Sequence, residues 1–272
     1  MKMAANGAQD STVPAAAPAW VRRGTILTVL GGGRGYGLAH PDSDWDYRGV
    51  SLPPVRWLVG FGPEDQGSHT WTHHGSPAEW TIHTLAKCCR LALRGNPNLL
   101  EILWCRDAEV RTLTVAGAQL RGIRGAFLSR GAYDSFAKYA ASQLDRMTRH
   151  DGHHGGRQES IAAYGYDPKN AAHLVRLLLM GRDLLRDGVV QVWRDADATL
   201  LNDIRGGRYT LEQVRRLALD LREDAGDWVG RSPLPSQPDR ETVEAWLIDI
   251  QSRWVAGDET LVEEVSGVGA DA

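Results

Sequence analysis

The stretch that most constrains this chain is Gly31 to Val50, which reads GGGRGYGLAHPDSDWDYRGV. It follows TILTVL (Thr25–Leu30) directly, a β-branched apolar run of the kind that forms a buried strand. The glycine-dense turn GGGRGYG then leaves little side chain, and its successive N–H groups can line an anion-binding concavity. A second strand is expected from near Asp44, where Asp44 and Asp46 stand two residues apart. On a strand this spacing puts both carboxylates on one face, with Cα atoms roughly 6.5–7 Å apart. Two anions so close repel unless a cation lies between them. Oxygen-only ligands suit Mg²⁺ or Mn²⁺. An anion cradle beside paired carboxylates is the minimum equipment for phosphoryl or nucleotidyl transfer. Glu79 opens the next strand candidate, EWTIHTL, and is placed to act as a third acid that ligates metal and helps deprotonate an incoming hydroxyl. The plain alternative is a solvated turn, the usual fate of acidic clusters in glycine-rich loops. No Gly-Lys-Ser/Thr follows the turn, and the dinucleotide-binding spacing is absent, so neither the Walker nor the Rossmann pattern applies.

The rest of the chain reads as α+β. Residues 1–20 are rich in Ala, Pro, Gly and Ser and are expected as a disordered tail; an α/β unit over 21–115, a helical unit over 116–257 and a flexible tail over 258–272 follow. The segment PPVRWLVGFGPEDQGSHTWTHHGSP reads as loop. Leu85, Cys88, Cys89, Ala92 and Leu93 fall at helical spacing, and Asn96 with Pro97 marks a cap and first turn for NLLEILW. Helical periodicity recurs over 115–150, 168–187, 209–225 and 240–255, with VVQVW (Val189–Trp193) as the short strand candidate of this half.

Charge and cysteine usage narrow the partners. The net charge is −3, so no global basic field points to nucleic acid, although a local basic groove remains open. Cys88, Cys89 and Cys105 form neither a disulfide framework nor a zinc pattern, which suits a reducing compartment. The N-terminus lacks a secretory h-region and no run reaches the roughly 18 apolar residues of a membrane span; a cytoplasmic protein without a membrane partner is expected. His150, His153 and His154 in RHDGHHGG invite a zinc reading, but the glycines favour a surface loop.

The stretch GYGLAHPDSDWDYRGV resembles the DNA polymerase β superfamily, and within it the nucleotidyltransferases that include the RNA-ligase-associated polymerases. Their pattern is a Gly-Ser turn, Tyr-Gly-Leu, Ser-Asp-x-Asp and Arg-Gly-Val. The likeness continues through AKCCRLALRGNPNLLEILW and YGYDPKNAAHLVRLLLMGRDLLRDG and fades in the later segments, spanning roughly Thr25 to Ile250. It implies a polymerase-β-like mixed sheet with a helical C-terminal domain. It further implies Mg²⁺ or Mn²⁺ held by Asp44, Asp46 and Glu79, and an NTP whose nucleoside monophosphate passes to a hydroxyl, with RNA ends the favoured acceptor. Gly32 and Gly33 fall on the Gly-Ser turn, and Gly33 stands where the family has Ser. That departure keeps open a second reading, a catalytically weakened nucleotide-binding or antitoxin-like regulatory protein of the same fold. Tyr36 and Ser43 belong to the same motif.

Lys169, His173 and Arg176 lie on one helical face. From the residues alone this is a solvated face; the resemblance instead implies that it closes over the cleft, with Lys169 and Arg176 meeting phosphate and Tyr166 stacking on the base or hydrogen-bonding nearby. Arg34 and Arg48 flank the acids and point either at phosphate or at a carboxylate. Lys87 and Arg90 are lesser candidates for a phosphate contact. Asn96, Asn98 and Glu101 carry a family signature and read as capping and turn residues.

Overall fold

The computed structural model describes residues 13–41, 43–63, 69–75, 78–148 and 156–265. His150, His153 and His154 lie outside them. The chain opens with a short helix α1 (Ala19–Gly24) and the strand β1 (Thr25–Leu30). A one-turn helix α2 (Gly32–Gly35) and β2 (Trp45–Ser51) follow. Next come α3 (Val55–Val59), β3 (Thr70–His74) and β4 (Ala78–Thr84). Two helices, α4 (Leu85–Leu93) and α5 (Pro97–Trp104), lead into β5 (Val110–Leu113). The rest is helical: α6 (Val115–Gly122), α7 (Ala132–Thr148), α8 (Gly156–Tyr164), α9 (Pro168–Asp187), α10 (Ala198–Arg205), α11 (Leu211–Val229) and α12 (Arg240–Val255). No described helix is long and apolar enough to cross a membrane.

The strands form one mixed sheet in the order β3-β4-β2-β1-β5. β2 and β4 run parallel; the other neighbours are antiparallel. The parallel pair needs a crossover, and the segment between β2 and β4 supplies it through α3 and β3. The loop expected over this segment is therefore wrong in part: Thr70–His74 pairs as an edge strand on β4.

Alternation along β2 sorts its residues. Tyr47 turns to one face and packs with Leu30, Trp80, Ile82 and Val21. Asp46 and Arg48 turn to the other, the face that carries the main core. That core is continuous from Ile26 on β1 to Leu261, so its packing crosses residue 115 without a break. Burial pushes the thiols of Cys89 and Cys105 up to about 12, and all three cysteines are unpaired apolar fillers.

The Asn96–Pro97 helix signal holds. Asn96 caps α5 by accepting the Asn98 N–H at 3.0 Å, with Pro97 in the first turn. Asp167 caps α9 by accepting the Asn170 N–H at 3.1 Å, again before a proline. Three expectations fail. The N-terminal tail does not extend to residue 20, since Ala17 is buried beneath the sheet and α1 begins at Ala19. The C-terminal tail does not begin at 258: Leu261 is buried, and Glu264 bridges Thr114 beside β5. Val189–Trp193 forms no strand; Trp193 packs on Gly37, and the Arg194 N–H donates to the Tyr36 carbonyl at 2.9 Å.

Candidate active site

A cavity of about 250 Å³ lies between the β1–β2 turn and helices α9 and α10. Gly32, Gly33, Tyr36, Ser43, Asp44, Asp46 and Arg48 line its sheet side. Lys169, His173, Arg176, Asn202 and Arg205 line the helical side. Residues of α9 and the paired acids thus line the same cavity from opposite sides.

The turn is built around Asp46. The Gly31 N–H donates to the Asp46 carbonyl at 2.7 Å, tying the end of β1 to β2. Gly32 has φ +59°, and a Cβ there would sit 1.7 Å from Asp46 Oδ2. Only glycine permits both this backbone and this approach. Burial is the main force raising the Asp46 carboxyl above its ordinary range; Arg48 opposes it, while the Glu79 and Asp44 charges add to it and Lys169 subtracts. Asp44 is exposed at the mouth of the same cavity.

Arg34 and Ser43 hold the loop that delivers Asp44. Arg34 Nη2 donates to the Ser43 carbonyl at 2.9 Å, and its guanidinium lies 4.1 Å over the Trp45 ring. The Ser43 hydroxyl accepts the His40 N–H at 2.9 Å. Arg34 does not line the cavity; its guanidinium is engaged by the Ser43 carbonyl and the Trp45 ring.

Below the cavity Glu101 joins three expected site residues. It accepts from Arg176 Nη1 at 2.7 Å, Arg48 Nη1 at 3.1 Å and the Tyr36 hydroxyl at 2.8 Å. The Arg176 guanidinium also lies 3.7 Å over the Tyr36 ring. Burial works to raise Glu101, but Arg176, Arg48 and the hydrogen bonds outweigh it, and the carboxyl stays below its ordinary range. Glu101 is thus an ion-pair hub rather than a capping residue. Its sequence signal is one carboxylate inside the otherwise apolar run of α5. Arg176 is almost wholly buried, so only part of its charge remains for a ligand.

Four further expected residues lie outside the cavity lining. Glu79 lies in register with Asp46 on β4, as anticipated, yet it is exposed and outside the cavity lining, with His74 as its nearest ionic neighbour at 3.8 Å. Among the described residues no group of three His, Cys, Asp or Glu converges as a metal cage. Tyr166 is 1% exposed and donates to the Tyr209 carbonyl at 2.5 Å, which makes it a core residue and not a base-stacking one. Lys87 and Arg90 are also absent from the lining. Asn202 and Arg205 were not singled out by the sequence; they lie three apart in an ordinary amphipathic helix.

No curated protein sequence matches the chain. Among solved structures, a nucleotidyltransferase-like protein from Exiguobacterium sibiricum is similar at 12% identity and a TM-score of 0.27, covering 84% of this chain and 73% of that one. The family model described as RNA repair pathway DNA polymerase beta family matches residues 12–216. That match takes in β1, the glycine turn, both aspartates and the whole of α9, and the chain belongs to this family.

Proposed function

We propose that this protein transfers a nucleoside monophosphate from an NTP to a hydroxyl acceptor, releasing pyrophosphate. The observation that carries the reading is the opposition, across one small cavity, of Asp44 and Asp46 to the cations of α9 and α10. A polyphosphate needs cations on one side. A divalent metal needs adjacent carboxylates on the other.

The donor set fits Mg²⁺ or Mn²⁺ in part. Asp44 and Asp46 would hold it: both face the cavity, and the Asp46 carboxyl, raised chiefly by burial with the Glu79 and Asp44 charges adding to it, would be returned to its ionised form by a cation. Glu79 adds charge from the neighbouring strand but no ligand atom inside the cavity. When bound, such an ion polarises the phosphate and activates the attacking hydroxyl. The chain's own residues do the rest. Lys169 draws the polyphosphate toward Asp46. The Glu101 hub fixes Arg48, Arg176 and Tyr36 so that the cavity floor is preorganised. The Gly32–Gly33 turn lets phosphate approach the backbone.

The RNA-repair description of the family favours an RNA end as acceptor. Labelled NTPs with Mg²⁺ or Mn²⁺ and RNA, DNA or protein acceptors test the reading. Transfer to RNA that Asp46→Asn abolishes supports it; transfer that survives this change removes the mechanism. Gly33 supports the second reading, a nucleotide-binding regulator. NTP binding without any transfer is the result that selects it.

A further inference from the structure

We infer that Arg205, at the C-terminal end of α10, is the side chain that grips the polyphosphate at the glycine turn. The inference rests on the proposed nucleotide site and adds a residue to it. A Cβ placed on Gly33 would have three nearest neighbours: the Leu38 carbonyl oxygen at 3.7 Å, Ala39 Cα at 3.8 Å and Arg205 Nη1 at 3.8 Å. The guanidinium therefore reaches across the cavity to the one position of the turn that lacks a side chain and has room for one.

Its neighbours leave it available. Asp203 accepts from Arg208 at 2.6 Å, and Asp197 pairs with Arg194. Among the described residues no carboxylate lies within ion-pair distance of Arg205. Arg48 and Arg176, by contrast, share Glu101. Next to it, the Asn202 side-chain oxygen is buried without a hydrogen-bond partner among the described residues. That oxygen is an acceptor and calls for a donor, such as a nucleotide hydroxyl, so it marks a polar part of the same site but is not itself a phosphate contact.

The helix is held in place for this task. Arg194, four residues ahead of it, donates to Asp183 of α9 at 2.6 Å, both side chains are at most 5% exposed, and Leu201 and Ile204 of α10 itself are buried in the core. The guanidinium thus approaches from a fixed direction, and its planar fork suits two phosphate oxygens at once. It should recognise the polyphosphate part of a nucleotide and ignore the base.

Calorimetric titration with inorganic tripolyphosphate and with nucleoside triphosphates and monophosphates, all with Mg²⁺, tests this. Arg205→Gln and Arg205→Ala should weaken tripolyphosphate and triphosphate binding about 10- to 100-fold, the usual loss for a charge-assisted contact, and leave monophosphate binding nearly unchanged. Arg208→Ala, which removes a neighbouring cation outside the cavity, should bind as wild type. Gly33→Ser in the Arg205→Ala background should restore part of the loss, because a hydroxyl then occupies the space the guanidinium served. Equal tripolyphosphate affinity in wild type and both Arg205 variants overturns the inference while leaving the transferase reading intact. Failure of the wild type to bind tripolyphosphate or any NTP overturns both.

Discussion

Arg176 of α9 and Glu101 of α5 form a buried ion pair of 2.7 Å that fastens the helical wall of the cleft to the elements behind the sheet. Glu101 also holds Arg48, so one carboxylate offsets two guanidiniums. Removing it leaves buried positive charge unpaired, which is costly even where the intact pair contributes little net stability. Glu101→Ala should cost about 3 kcal/mol in urea unfolding. A loss under about 1 kcal/mol would show that water already solvates the pair.

The same carboxylate sets an acid limit. Its folded pKa lies below the unfolded value, so its contribution is complete above the ordinary carboxylate range and fades as pH falls through the folded value. Glu101→Gln should flatten stability-versus-pH in this acid region. A profile parallel to wild type would remove Glu101 as the cause.

His83 titrates in the opposite sense to a paired histidine. Burial, aided by Lys87 and Arg48, lowers it to about 4, and its Nδ1 lies 2.9 Å from the Thr70 hydroxyl. The unfolded chain therefore binds the proton first, and stability declines as pH drops from about 6.5 toward 4. With the ring partly exposed, the decline should be on the order of 1–2 kcal/mol. His83→Asn should abolish it in thermal melts taken across this range.

The glycine turn offers a positional contrast. Gly32→Ala forces a Cβ into Asp46 Oδ2 at a positive φ and should destabilise by about 1–3 kcal/mol while displacing the carboxylate. Gly33→Ala meets nothing closer than 3.7 Å and should fold as wild type. Melting temperatures separate the two variants, and equal values would contradict the packing at Asp46.

Carboxylate substitutions rank the acids. Asp44→Asn and Asp46→Asn should each suppress Mn²⁺ binding in titration calorimetry. Glu79→Gln should change it only a few-fold, because Glu79 acts on Asp46 by charge from outside the cavity. Loss of Mn²⁺ on Glu79→Gln alone would restore it as a ligand.

Much of the cleft was legible in the sequence because local rules decide it. A β-branched run, a glycine turn and an Asp-x-Asp strand dictate β1, the turn and β2, and Asn96 announces its helix as a cap. What failed depends on distant partners. β3 is a short edge strand of threonine, tryptophan and histidine, with no aliphatic alternation to reveal it. Tyr166 sits in a family-like motif, yet its hydroxyl satisfies a backbone carbonyl 43 residues away. The role of Glu101 requires four residues from separate elements, and no periodicity encodes such a meeting.

The backbone around Glu263 to Val265 pairs beside β5: the Val115 N–H donates to the Glu263 carbonyl at 3.0 Å and the Val265 N–H to the Leu113 carbonyl at 2.8 Å. During translation, β1 to β5 therefore emerge well before the segment that covers this border has been synthesised. Until then the β5 border of the nascent front half has unpaired backbone groups, the kind of open sheet edge that invites pairing with other chains.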